Sequence, residues 1–158
     1  MKIYFASDHT GYELKKTLLD YVRNELGHEI EDCGAFSYDE ADDYPDFVKV
    51  AAQKVAENQS DMAIVIGGTG EGEAMVANRV KGVRAAVYYG GEEARADIAG
   101  NNLSIIEAAR SHNDANTLSL GARFLDEAFA KAAVKSFLET PFSEEERHTR
   151  RLRKIDTV

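Results

Sequence analysis

Met62-Ala-Ile-Val-Ile66 runs without a break into Gly67-Gly-Thr-Gly-Glu-Gly72. Five apolar residues with no polar alternation are what a strand covered on both faces requires. Such strands belong to parallel sheets, and parallel neighbours need crossover connections, usually helices. The flanking sequence supplies them. Lys2-Ile-Tyr-Phe-Ala6 is a short β-rich run that stops at Ser7-Asp8-His9. Leu14, Leu18 and Val22 then recur at helical spacing up to Gly27, and Thr10-Gly-Tyr-Glu13 has capping-box spacing. Glu29–Cys33 reads as a weak second strand. The acidic loop Tyr38–Asp46 leads into a helix carrying Phe47, Val50, Ala51 and Val55. A short helical stretch after the glycines reaches Ala77, Val83–Tyr89 is a fourth strand, and helical patterns follow to about Arg110. Thr117–Leu120 is a fifth strand. Leu125–Leu138 is a helix with Phe129, Ala133 and Phe137 on one stripe, and Ser143-Glu-Glu-Glu146 is a second capping box that opens a terminal helix over about 143–155. Strand–helix alternation predicts an α/β fold. It has a five-stranded, mostly parallel sheet, right-handed crossovers and helices on both faces. In such folds ligands sit outside the carboxyl ends of the strands. That rule directs attention to Asp8 and His9, to the Gly67–Gly72 loop, and to the loop that ends near His112.

The 158 residues are enough for one domain, 1–158. Lys and Arg number 19 against 28 Asp and Glu, a net charge of −9. Residues 147–158 carry +4, leaving −13 on residues 1–146. An acidic body argues against nucleic acid as a partner, whereas clustered Arg at one end suits a small phosphate ester. One cysteine excludes an intramolecular disulfide framework and a multi-thiolate zinc site. No apolar run is long enough to span a membrane, and the start MKIYFASDH lacks a signal peptide's apolar region, so a cytoplasmic protein without membrane partners is the expectation.

The glycine loop can either form a plain turn or curl its amides into an anion-binding nest. No Lys-Ser or Lys-Thr follows, so it is not a Walker loop. Glu73 and Glu71 are rival candidates for a general base beside it, and spacing does not separate them. His9 and His112 each have an Asp or Asn neighbour able to set a tautomer, and each is read as solvated or catalytic. His28 and His148 lack that context and receive no role. On a terminal helix Arg147, Arg151 and Lys154 share one face, as a solvated basic stripe or as a guanidinium pair for phosphate. The acidic loop reads as solvated rather than metal-binding, and Cys33 as a packed small residue.

Taken in order, six segments resemble ribose-5-phosphate isomerase type B. They are Ser7-Asp8-His9…Glu13-Leu14-Lys15, Asp43-Tyr44-Pro45-Asp46, Gly67-Gly-Thr-Gly-Glu-Gly-Glu73…Ala77-Asn78-Arg79, Ser111-His112-Asn113-Asp114-Ala115-Asn116, Gly121-Ala-Arg123 and Arg147-His-Thr-Arg-Arg151. The wider family includes galactose-6-phosphate, allose-6-phosphate and tetrose-phosphate isomerases. The resemblance implies a Rossmann-like three-layer α/β/α sandwich and an aldose–ketose isomerase working through an enediolate. It implies neither metal nor organic cofactor, and a homodimer or dimer of dimers with active sites shared between subunits. Many members carry a cysteine base at the position of Gly67; this chain fits the branch that uses Glu73, which selects Glu73 over Glu71. The resemblance further implies that Gly68, Thr69, Gly70 and Gly72 hold the oxyanion and that His112 opens the sugar ring with Asp8 opposite. Asn113 binds substrate, and His9, Arg123, Arg147 and Arg151 clamp the phosphate. The chain is longer than typical members between Tyr89 and His112, around Asp97–Glu107. That segment leaves open the same chemistry on a hexose, tetrose or modified pentose phosphate. A non-catalytic sugar-phosphate sensor is the reading from another class, and a sensor has no use for Glu73, His112 and Asp8 together.

Overall fold

A computed structural model of the chain describes residues 1–91, 94–98 and 100–157. Among the described residues, five strands form one parallel sheet: β1 (Lys2–Ser7), β2 (Glu29–Asp32), β3 (Met62–Gly67), β4 (Ala85–Tyr88) and β7 (Thr117–Gly121). Their order across the sheet is β2-β1-β3-β7-β4. The helices are α1 (Tyr12–Asn24), α2 (Tyr44–Glu57), α3 (Glu71–Ala77), α4 (Ile105–Asn113), α5 (Glu127–Glu139) and α6 (Glu146–Ile155). None is long and apolar enough to cross a membrane.

Alternating side chains of the central strands build two unequal cores. Ile3, Phe5, Ile64, Ile66, Leu118 and Leu120 face α1, α4 and α5, where they meet Leu18, Ile106, Val134 and Phe137. Tyr4, Ala6, Ala63 and Val65 face α2 and α3 and pack on Val48, Ala51, Val55 and Ala77. Both faces are covered, which is why β3 shows no polar alternation.

Several local expectations are corrected. Thr10–Glu13 is not a capping box: Asp8 caps a 3₁₀ turn at His9–Gly11, its Oδ1 accepting from the amides of Thr10 at 2.9 Å and Gly11 at 3.3 Å. Ser143–Glu146 is not one either, and α6 starts three residues later than the spacing suggested, at Glu146. Among the described residues a capping box is formed by Ser104 and Glu107, opening α4. Helix α2 begins at Tyr44 with Pro45 in its first turn, where a missing amide hydrogen costs nothing. Phe129 is exposed, because α5 buries the stripe Ala130, Ala133, Val134, Phe137 and Leu138, about 100° round the helix. The helical pattern expected between β4 and Arg110 is interrupted by a two-stranded antiparallel hairpin, β5 (Arg95–Ala96) and β6 (Asn102–Leu103). Residues 92, 93 and 99 of that stretch lie outside the described residues.

Candidate active site

The chain leaves β1 toward β2 on one side and returns to β3 on the other. The ends of β1 and β3 therefore flank a topological switch point, where connections diverge and open a crevice. A cleft of about 350 Å³ lies there, lined by Asp8, His9, Thr10, Tyr44, Gly68, Thr69, Gly72, Glu73 and Arg123. Gly67 stands opposite Gly121 in the β3–β7 register. The pairing continues past both strands, with Ala122 N donating to Gly67 O at 2.8 Å and Arg123 N to Gly68 O at 3.1 Å. That continuation brings Arg123 over the loop.

Two glycines serve close approach. A Cβ on Gly67 would fall on the Glu73 carboxylate, and one on Gly68 would lie 3.2 Å from the Arg123 guanidinium carbon. Gly67 and Gly68 thus make a side-chain-free floor on which a carboxylate and a guanidinium rest. Thr69 Oγ1 accepts from Glu71 N at 3.2 Å and so closes the turn into α3. Gly70 takes the left-handed conformation at φ 79°, and its carbonyl accepts from Ser119 Oγ at 2.6 Å.

Glu73 is 3% exposed. Burial pushes its carboxyl above the ordinary range, its own backbone amide pulls it down, and the nearby Asp8 charge pushes it up again. Two carboxylates with different environments in one cleft are the usual arrangement for separating a base from its neighbour. Glu71, by contrast, is exposed. Asp8 is 7% exposed and spends Oδ1 on the cap.

His9 is bonded to Asp42, with Nδ1 2.7 Å from Oδ1, and its ring is held above its ordinary pKa first by that bond. Asp8, His9 and Asp42 each offer a ligand atom within 4.8 Å of the others, the one metal-type grouping among the described residues. Asp8 is already engaged as a cap and Asp42 by His9.

The other expected residues lie elsewhere. His112 is not in a loop at the carboxyl rim but in the last turn of α4. That helix runs back against the strands, so His112 sits near the start of β7, at the opposite rim. Five-residue β7 separates the rims by roughly 15 Å. A second cleft of about 320 Å³ gathers Asp97, Ile98, His112, Asn113, Arg147, His148 and Arg151. Arg147 and Arg151 reach it from one face of α6, whose inward residues are His148 and Leu152. The two clefts share no lining residue. One chain therefore unites Asp8, His9, Gly68, Thr69, Gly72, Glu73 and Arg123, and separately His112, Asn113, Arg147 and Arg151.

Three lining residues of these clefts, and Asp42 bonded to His9, were not singled out by spacing. Tyr44 opens α2 beside Gly72. His148, 2% exposed, places Nδ1 3.1 Å from His112 O and stacks edge-on to the His112 ring at 4.3 Å. Its i, i+4 pairing with Leu152 on the buried face of α6 was the available signal. Asp97, from the inserted segment, brings Oδ2 within 3.3 Å of His112 Nε2 and 3.7 Å of Arg147. Asp42 breaks the expectation of a wholly solvated acidic loop. Cys33 is buried, and burial pushes its thiol up to about 11, so it is a packing residue.

Known proteins resemble this chain in sequence and in fold. Residues 3–155 match the family described as Ribose/Galactose Isomerase. Ribose-5-phosphate isomerase B of Mycobacterium leprae is 40% identical over 152 residues, covering 96% of this chain and 86% of that protein. The crystal structure of a ribose 5-phosphate isomerase from Thermotoga maritima superposes with a TM-score of 0.83 at 40% identity, covering 99% of this chain and 98% of that one. Ribose-5-phosphate isomerase B from Mycoplasma genitalium, solved with bound ribulose-5-phosphate, gives a TM-score of 0.85 at 37% identity, covering 99% and 94%. A buried carboxylate over a side-chain-free strand end, in a chain matched along nearly its whole length, leads to one conclusion: this chain belongs to the ribose/galactose isomerase family.

Proposed function

We propose that the chain is a single-domain isomerase that interconverts ribose 5-phosphate and ribulose 5-phosphate, with Glu73 as the base. The observation that carries this is the Glu73 carboxylate: 3% exposed, raised in basicity, and set on the floor of a polar cleft that also holds His9 and Arg123.

The substrate's furanose must first open. The C1 hydroxyl gives up its proton, the C1–O4 bond breaks, and O4 receives a proton. His112 moves one of these protons and Asp8 assists from the other side. Glu73 then removes the proton from C2. The electron pair forms C1=C2 and leaves negative charge on O1. The amides of Gly68, Gly70 and Gly72 hold that oxyanion, with Thr69 assisting; one such preorganised donor is worth about 3–4 kcal/mol in other enzymes. The O2 proton passes to O1, and Glu73 returns its proton to C1 to give the ketose. Asn113 binds substrate hydroxyls, and His9, Arg123, Arg147 and Arg151 hold the phosphate.

Because the Glu73 cleft and the His112 cleft share no residue, a complete site takes one cleft from each of two chains. The working unit is then a homodimer, or a dimer of dimers, with His112, Asn113, Arg147 and Arg151 of the partner subunit closing over Glu73. Mixed inactive variants test this. Glu73→Gln and His112→Ala should each be nearly inactive alone. In a randomly re-formed twofold dimer half the molecules are hybrids, each with one site free of both lesions. Mixing should restore about one quarter of wild-type turnover. Sites contained within one chain would give no recovery. Arg151→Ala should raise KM by roughly 10–100-fold, the cost of one charge-assisted contact to phosphate, with melting unchanged because the side chain is exposed. An unchanged KM would return the basic helix to a solvated face.

A second reading, the same chemistry on another sugar phosphate, is favoured by Asp97, which the inserted segment carries into the His112 cleft. A panel of aldopentose, aldohexose and aldotetrose phosphates compared by kcat/KM decides it. Ribose 5-phosphate should be turned over best; a clear preference for another sugar reassigns the substrate and leaves Glu73 in place.

A further inference from the structure

Every other described carboxylate between Asp39 and Asp46 is exposed, whereas the Asp42 side chain is only 8% exposed. One of its oxygens, Oδ1, grips His9 twice. It accepts from His9 N at 3.0 Å and lies 2.7 Å from Nδ1. The other oxygen, Oδ2, is buried with no partner among the described residues. A buried acceptor left unpaired opposes folding. A neutral side chain of the same shape would sit there at lower cost, so the fold itself does not call for a charge at this position.

The cleft supplies the reason. With Nδ1 turned to Asp42, the nitrogen left to His9 is Nε2, and His9 lines the cleft with Arg123 and Gly68. Tyr38 closes the ring's outer side, edge-on at 6.2 Å. A neutral imidazole bonded through Nδ1–H offers a phosphate only the lone pair of Nε2, which repels it. The imidazolium offers an N–H donor and a charge.

We propose that Asp42 is a positioning residue for His9: it aims Nε2 into the cleft and supplies the counter-charge that keeps the ring cationic against the substrate's phosphate. This rests on the reading of His9 as a phosphate ligand. The charged groups facing the ring all bear on it. Asp42 and Glu40 from the acidic loop and Asp8 from the preceding position favour the charged ring, and the partial burial of the ring opposes it. Glu73 and Arg123 line the same cleft with opposite signs. An imidazole without such help has an ordinary pKa of about 6.5 and is mostly neutral at physiological pH. Asp42 thereby extends phosphate binding to higher pH.

The test is a pH series of KM and kcat for ribose 5-phosphate in wild type, Asp42→Asn, His9→Gln and the double variant. Asn has the shape of Asp without its charge. Asp42→Asn should raise KM about 3–10-fold near pH 7.5, because the ring then lacks the counter-charge that holds its proton. The gap should narrow toward pH 6, where both rings are protonated, and kcat should stay within about twofold. The substrate phosphate's own ionisation affects all variants alike and cancels in the comparison. His9→Gln should raise KM, and adding Asp42→Asn to it should cost nothing more, because Asp42 acts through the ring. Nitrogen NMR of the His9 imidazole should show its titration midpoint falling in Asp42→Asn. If His9→Gln raises KM while Asp42→Asn follows wild type at every pH, Asp42 is a structural residue and the phosphate role of His9 stands. If His9→Gln leaves KM unchanged, that role fails and the inference fails with it.

Discussion

Glu73→Gln should lower kcat with ribose 5-phosphate by about 10²–10⁴-fold, the usual worth of a positioned general base. The amide keeps the shape of the carboxylate and removes only its ability to take a proton. KM should change little, because the phosphate contacts lie on other residues. The acid limb of the wild-type kcat profile should sit above the ordinary carboxylate range, since burial raises Glu73 and the base must be ionised to act. Stability gives an independent check with its own sign. A carboxyl that holds its proton more tightly in the folded chain opposes folding once it is charged. Wild type therefore loses stability as pH rises from the unfolded value through the raised folded one. Gln has no such term. The melting temperature of Glu73→Gln relative to wild type should climb from about pH 4 to pH 8. Near-normal turnover in the variant removes Glu73 from the mechanism. A pH-independent difference in melting removes the argument from burial.

Gly67→Ala should cost turnover nearly as much, about 10²–10³-fold, without any change in a polar group. The added Cβ would overlap the carboxylate carbon and both oxygens of Glu73. Either Glu73 leaves the cleft floor or the end of β3 moves. Both displace the base from the substrate carbon, and proton transfer does not survive a shift of that size. Because the lesion acts through Glu73, adding Gly67→Ala to Glu73→Ala should cost little further activity. Full additivity of the two losses would mean that Gly67 matters for another reason. Two positions six residues apart converge on one point, and there is room there for one side chain.

Much of the fold was legible because two-sided burial demands uninterrupted apolar runs. Met62–Ile66 reads as an interior strand, and interior parallel strands require the crossover helices that flank them. Errors fell at helix starts, where Thr10 and Ser143 had the right spacing for caps but Asp8 and Ser104 had the right geometry. The hairpin Arg95–Leu103 was missed because two-residue strands carry no periodicity.

The site divided along a different line. Sequence by itself determined the chemistry-bearing residue types and their order: a carboxylate after a glycine loop, imidazoles beside Asp and Asn, guanidiniums one helical turn apart. Tertiary structure decided which of them share a cleft. Glu73 is buried and Glu71 exposed, a property of the packed sheet end rather than of spacing. His112 went to the opposite rim because α4 runs antiparallel to the strands it connects. His148, Asp97 and Asp42 acquired their contacts from segments distant in the chain, at 36, 15 and 33 residues from their partners. Side-chain direction and the crossover path are set by how helices pack on a twisted sheet. No local pattern of residues records where that packing brings two remote positions together.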